Sequence, residues 1–171
     1  MGGAAHLVKR FFGSVPVGPS AEDEAWAKEQ LLEGEQDIWR RMSRADRRHA
    51  AGVARRVEVA LGDEAIRPVL AAALLHDCGK TVSGLSTYGR VIATLSGKMA
   101  GMDVAMAWTE TTGFTRRVGL YLEHPRLGAE MLGLAGSAPL TVAWTAEHHL
   151  PPDQWTVPTD VGLALKAADD D

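Results

Sequence analysis

Residues 64–80 read EAIRPVLAAALLHDCGK. Ile66, Val69, Ala73 and His76 recur at helical spacing, and Leu70, Leu74 and Asp77 lie on the adjoining stripe. Pro68 fits such a helix only in its first turn, which sets the start near Glu64. No charge interrupts the run from Pro68 to Leu75, so this helix is apolar nearly all round and belongs at the centre of a helical domain. Yet it ends on a histidine and an aspartate. A carboxylate at the inner end of a buried helix is costly unless it is paired or bound to a cation.

The same periodicity extends in both directions. A helix is expected from Asp46 to Leu61, with Ala50, Val53, Val57 and Ala60 at helical spacing and Gly62 just past its end. Ser20 followed by Asp23 marks the start of an acidic helix from about Ala21 toward Met42, broken at Gly34. Downstream, helices are expected over Thr87–Met99 and Met102–Thr111, separated by Gly101, and then over Phe114–Glu123, Pro125–Leu134 and Pro139–His149. Pro151-Pro152 stops the last of these. A short helix, Asp160–Ala168, closes the chain, docking through Val161, Leu163, Leu165 and Ala168. No strand-like alternation persists and no repeat is present. The expected fold is all-α, a single helical bundle, with a flexible arm over residues 1–19, a helical extension over 20–44 and the core over 45–171.

Composition narrows the setting. The 171 residues suit one domain, and 46% apolar with 23% charged content is ordinary for a soluble protein. A net charge of −4 gives no nucleic-acid footprint. No uncharged apolar run approaches the ~20 residues that cross a bilayer, and the start lacks a signal peptide's apolar stretch. The single cysteine, Cys78, forms no internal disulfide, so the expected compartment is the cytoplasm, with no membrane partner.

Five of the six histidines form an ordered series: His49, His76 beside Asp77, His124, and the doublet His148-His149, with Asp169 at the end. They sit on separate helical segments, so only folding brings them together. Imidazole nitrogen and carboxylate oxygen suit one or two borderline or hard divalent metals, and histidine moves protons near neutral pH. On a helix His76 and Asp77 point about 100° apart, yet a distorted last turn lets both meet one ion. The two oxygens of Asp77 are able to bridge two ions. His49, His76, Asp77 and Asp169 make four ligands, enough for a metal that keeps open positions. Gly128 permits close backbone approach beside His124. The adjacent rings of His148 and His149 should diverge, leaving one as ligand and the other to orient substrate or donate a proton. Lys80, three residues past Asp77, is a candidate phosphate contact and catalytic partner of Asp77. Arg116-Arg117 and Arg47-Arg48 are candidate anion clamps. Cys78 reads as packing rather than nucleophile, and the five scattered tryptophans as core or lid.

RRHAAGVARRV at 47–57, ALLHDCGK at 73–80 and LKAADDD at 165–171 resemble the H…HD…D signature of the HD-domain superfamily of metal-dependent phosphohydrolases. The resemblance spans roughly residues 45–171. It implies that His49, His76, Asp77 and Asp169 bind a divalent metal. HPRLGAEML at 124–132 and AEHHLPP at 146–152 resemble the longer variant found in HD-GYP and related phosphodiesterases, which usually holds two metals. By that resemblance His124, His148 and His149 complete a second site bridged by Asp77. The chain departs from the variant after His149, where LPPDQW replaces the glycine-tyrosine-proline segment. It also carries Gly52 where an arginine often follows the first histidine by three. Asp170 and Asp171 compete with Asp169 for the last ligand position. A cyclic dinucleotide is therefore not the expected substrate.

The function expected on this basis is hydrolysis of a nucleotide or other small phosphate ester by metal-activated water, with one or two divalent transition ions (Fe, Mn, Zn, Co or Ni). The alternatives are a non-catalytic metal-bound module that senses a nucleotide or binds a partner, and an oxygenase with two irons.

Overall fold

A computed structural model describes residues 17–100 and 102–171, the side chains of 87, 88, 98–100, 102, 103 and 105 excepted. Among the described residues every regular element is helical and no strand occurs. The arm expected over 1–19 lies outside the described residues up to residue 16, as does the break expected at Gly101. Val17 to Pro19 run outside any helix.

Helices α1 (Ala21–Gln30) and α2 (Glu33–Arg41) form the extension. Ser20 caps α1, its hydroxyl accepting from the Asp23 amide at 3.0 Å. The break falls at Leu31-Leu32 and not at Gly34. Buried Glu35 accepts from the Leu32 amide at 2.8 Å and starts α2, while the Gln36 side-chain amide donates to the Lys28 and Leu31 carbonyls that end α1. Gly34 instead permits close packing, since a Cβ there would stand 2.8 Å from the Ala135 carbonyl oxygen. The extension shares the core of the rest of the chain: Ala27, Leu31, Ile38, Trp39 and Met42 are all buried in it. Glu24 accepts from the Trp39 indole at 3.2 Å and from Arg47 at 2.9 Å, and Arg55 lies 3.7 Å over the Trp26 ring.

Helix α3 (Arg44–Leu61) begins two residues before Asp46 because Ser43 is its cap, accepting from the Asp46 amide at 3.1 Å. Its Ala50, Val53 and Val57 are buried as the periodicity requires, but Ala60 is exposed at the fraying end. Gly62, at φ 53°, ends it. A 3₁₀ turn over Gly62–Glu64 then takes residues expected in the next helix. Helix α4 (Arg67–Leu75) therefore starts later, and Ile66 is its exposed cap residue rather than part of the buried stripe. Everything from Val69 to Leu75 is buried. Each large apolar side chain there contributes about 1.5–3 kcal/mol of transfer free energy. α4 is the central helix, packed by α1, α2, α3 and α10.

The second half comprises α5 (Lys80–Ser83), α6 (Thr87–Ala100), α7 (Met102–Thr109), α8 (Gly113–Leu122), α9 (His124–Leu134), α10 (Pro139–Glu147) and α11 (Thr159–Asp170). α6 to α8 close over a smaller cluster of Leu85, Ala93 and Val118. Thr141 on α10 donates to the Pro68 carbonyl at 2.9 Å and so locks α10 onto α4. α11 packs on α3 through Val161, Leu165 and Ala168. Leu163, expected to join them, is 52% exposed, because a residue two positions from 161 and 165 points about 200° away. No helix among the described residues is long and apolar enough to cross a membrane.

Candidate metal centre

The centre is assembled at the inner end of α4. After Leu75 the chain tightens into i→i+3 turns, with Cys78 N donating to Leu75 O at 2.9 Å and Lys80 N to Asp77 O at 3.1 Å. This winding brings His76 and Asp77 to one side despite their adjacency. α9 then approaches through glycines: a Cβ on Gly128 would stand 3.1 Å from Gly79 N, 3.2 Å from Cys78 Sγ and 2.9 Å from Thr145 Cγ2. The close approach expected at Gly128 is thus observed, with Gly79 as its counterpart.

His76, His124 and His148 are almost wholly buried and share one local arrangement. Nδ1 of each faces the carbonyl three residues earlier: His76 to Ala73 at 2.9 Å, His124 to Tyr121 at 2.7 Å and His148 to Thr145 at 2.9 Å. A carbonyl only accepts, so Nδ1 carries the proton and Nε2 presents a lone pair in the neutral ring. All three Nε2 atoms are buried without a hydrogen-bond partner.

Those lone pairs converge on carboxylates. Asp77 Oδ2 lies 3.5 Å from His76 Nε2, whereas Oδ1 lies 3.3 Å from His124 Nε2 and 3.7 Å from His148 Nε2. Asp169 Oδ1 lies 2.9 Å from His49 Nε2 and 3.5 Å from His76 Nε2. Two groups result whose potential ligand atoms lie within 4.8 Å of one another, His49-His76-Asp77 and His124-His148-His149. Either group could hold a divalent cation, with Asp77 facing both. Buried, unpartnered imidazole nitrogens opposite carboxylate oxygens are the donor set such a cation requires.

His148 and His149 do not diverge as expected. α10 ends at Glu147 and the chain turns, so the rings lie 4.0 Å apart at 41°, with His149 5.2 Å from His124. His149 is the exposed member of its group, yet partial burial of its ring, then His148 and His124, push its imidazole down to about 2, and it is neutral at physiological pH. A neutral His149 offers a lone pair and is poorly suited to donating a proton.

The electrostatics match. Burial favours the protonated form of Asp77, but Lys80, then His76, with His124 and His148 beyond them, hold its carboxyl well below the usual range. Asp169 is likewise kept ionised against burial by His49 and His76. Burial lowers the His76 imidazole, yet Asp77 and Asp169 outweigh it and raise it. Both carboxylates thus attract positive charge to this point. Lys80 is buried, its ammonium against Asp77 Oδ2. Cys78 is packed under Gly128, and burial followed by the Asp77 charge drives its thiol to about 12. That thiol is no nucleophile at neutral pH.

Other candidates are not brought to the cluster. Arg116 donates to the Thr109 carbonyl at 3.2 Å, and Arg117 to the carbonyls of Ser83 and Gly84, so backbone of neighbouring elements engages both. Arg47 is committed to Glu24. Sequence reasoning missed Arg56, whose Nε and Nη2 donate to the Ala168 carbonyl at 3.0 and 2.8 Å and hold the end of α11 beside His49. Its place on α3, two turns after His49, does not reveal that partner, which lies 112 residues away. Asp170 instead pairs with Lys166 at 2.9 Å on the surface.

An all-helical domain with a histidine and carboxylate cluster at the end of its central helix defines a class of metal-binding helical domains. The chain matches the HD domain family over residues 47–170, most of its length, and belongs to that family. No curated protein and no solved structure matches it.

Proposed function

We propose that the protein is a metal-dependent phosphohydrolase acting on a nucleotide or other small phosphate ester. The observation that carries this reading is Asp77, whose two oxygens face the imidazole nitrogens of two separate groups. His49, His76, Asp77 and Asp169 would hold one divalent cation, and Asp77, His124, His148 and His149 a second. Bound there, such cations supply Lewis acidity toward water and a phosphoryl oxygen.

The chain does the rest. The bonds to Ala73, Tyr121 and Thr145 fix ring orientation and tautomer before any ligand arrives, so these three rings need not turn on binding. Asp77 is held ionised and ready to share both oxygens. Lys80 is placed to exchange its contact with Asp77 for one with a phosphoryl oxygen, offsetting charge that builds there. The apolar wall of α4 limits water behind the site and strengthens these interactions.

The test is a turnover screen of metal-loaded protein across nucleoside mono-, di- and triphosphates and simple phosphate esters, with Lys80→Ala alongside. Hydrolysis that disappears with chelator and falls about 10²-fold in the variant supports the reading. Full metal content with no turnover of any phosphate ester would refute it.

A further inference from the structure

We infer that Arg90 is a substrate-binding residue of this centre, its guanidinium forming an anion-recognising rim that meets the phosphoryl group of the substrate. This rests on the proposed phosphohydrolase reading and adds a specific contact to it.

Arg90 sits in the first turn of α6, outside the family signature residues. Its Nη1 donates to Asp46 Oδ1 at 2.6 Å. Asp46 is one helical turn ahead of His49 on α3, so the guanidinium is fixed beside the helix that carries the first histidine of the series. Asp46 is itself oriented by the Ser43 hydroxyl, which donates to its Oδ2 at 2.7 Å. The Arg90 side chain is 21% exposed, neither sunk in the core nor free in solvent. Its Nε is buried and has no partner among the described residues. One edge of the guanidinium is therefore anchored while an inner donor is left over.

Burial lowers the proton affinity of Arg90, but Asp46, then Tyr121 and Asp77, more than offset this and keep it charged. Tyr121 stands next to His124, ring centres 5.5 Å apart. Asp46 stands one helical turn before His49, and Tyr121, whose ring is next to that of His124, lies on α8, the helix that packs against α6. Asp46 takes Nη1, which leaves Nε as the donor that an anion at the centre would meet. A guanidinium also matches two phosphoryl oxygens at once, which an ammonium cannot. Arg116 and Arg117, by contrast, each donate Nε to a backbone carbonyl.

The test uses the full chain loaded with Mn²⁺, with inorganic phosphate as calorimetric ligand and p-nitrophenyl phosphate as substrate. Wild type is measured first. If it neither binds phosphate nor hydrolyses the ester, the phosphohydrolase reading fails and the role of Arg90 with it. Given wild-type binding, Arg90→Gln should weaken phosphate roughly tenfold to a hundredfold, the range spanned by loss of one or two charge-assisted hydrogen bonds. KM should rise by a similar factor while metal content stays unchanged. Wild-type affinity in Arg90→Gln overturns the inference. Because Arg90 also ties α6 to α3, Arg90→Lys keeps the charge and the Asp46 pair should the first variant fail to fold. It should bind phosphate at an intermediate level, and wild-type affinity there likewise overturns the inference.

Discussion

A Cβ on Gly79 would stand 2.0 Å from the carbonyl oxygen of His124. The turn that carries Asp77 and the start of the helix that carries His124 are thus docked backbone to backbone. The docking lets Asp77 Oδ1 reach both His124 and His148.

Gly79→Ala is accordingly expected to be worse than ordinary overpacking, which costs about 1–3 kcal/mol, because the colliding atoms are backbone and do not swing aside. A thermal melt should show a strongly destabilised protein. Gly133→Ala, where a Cβ meets nothing within 4 Å, is the control and should melt like wild type. A Gly79→Ala protein with wild-type melting would contradict the close docking.

Asp169 is two residues from the end of the chain, but Arg56 grips the preceding carbonyl and His49 binds its Oδ1. Asp169→Asn should weaken metal retention sharply while costing the metal-free fold about 1 kcal/mol. Asp170→Asn should change neither, since Asp170 pairs with Lys166 at the surface. Metal loss in the Asp170 variant alone would shift the assignment by one residue. Metal analysis of the pair decides it.

His124→Ala removes one of the three imidazoles of the second group. It should leave about one ion per chain where wild type holds about two, and nearly abolish turnover. Unchanged stoichiometry would mean that the His124 group does not bind an ion.

Acid should destabilise the metal-free protein. Burial lowers the imidazoles of His124 and His148, and His149 falls to about 2. An unfolded chain protonates them near 6.5, so below that value the unfolded state binds more protons and stability falls with pH. His76 acts oppositely: its raised imidazole contributes stability below 6.5 that is lost as pH rises through its folded value. The lowered imidazoles are expected to outweigh the single raised one. The melting temperature of chelator-treated protein should therefore drop between about pH 7 and pH 5. The Asp77 and Asp169 contributions, both from lowered carboxyls, are lost only on further acidification below about pH 4. A flat or rising profile between pH 7 and 5 would contradict the burial of neutral imidazoles.

The central helix and its His76-Asp77 terminus were legible because a long uncharged run buries whatever follows it, and two ionisable residues are rarely buried without a ligand or a partner. The placement of His124 beside Asp77 was legible in part: Gly128 signalled close approach, but its counterpart Gly79 is an ordinary turn glycine in sequence. Some features depend on partners distant in the chain and have no local signature. Gly34 looked like a helix break and proved to face Ala135, and Arg56 reaches across 112 residues to Ala168. Arg116-Arg117 looked like an anion clamp because a guanidinium pair carries no sign of the carbonyls that occupy it. Ser43, a cap three residues ahead of Asp46, and Glu35, three residues past Leu32, are local signals that went unread.

The central claim is that Asp77 joins two sets of imidazoles into a metal centre. Metal content per chain, measured in wild type and Asp77→Ala after purification without chelator and reloading with Mn²⁺ or Fe²⁺, tests it most directly. Wild type should hold about two ions, and the variant, still helical by circular dichroism, close to none. An Asp77→Ala protein that keeps the full wild-type complement would contradict it.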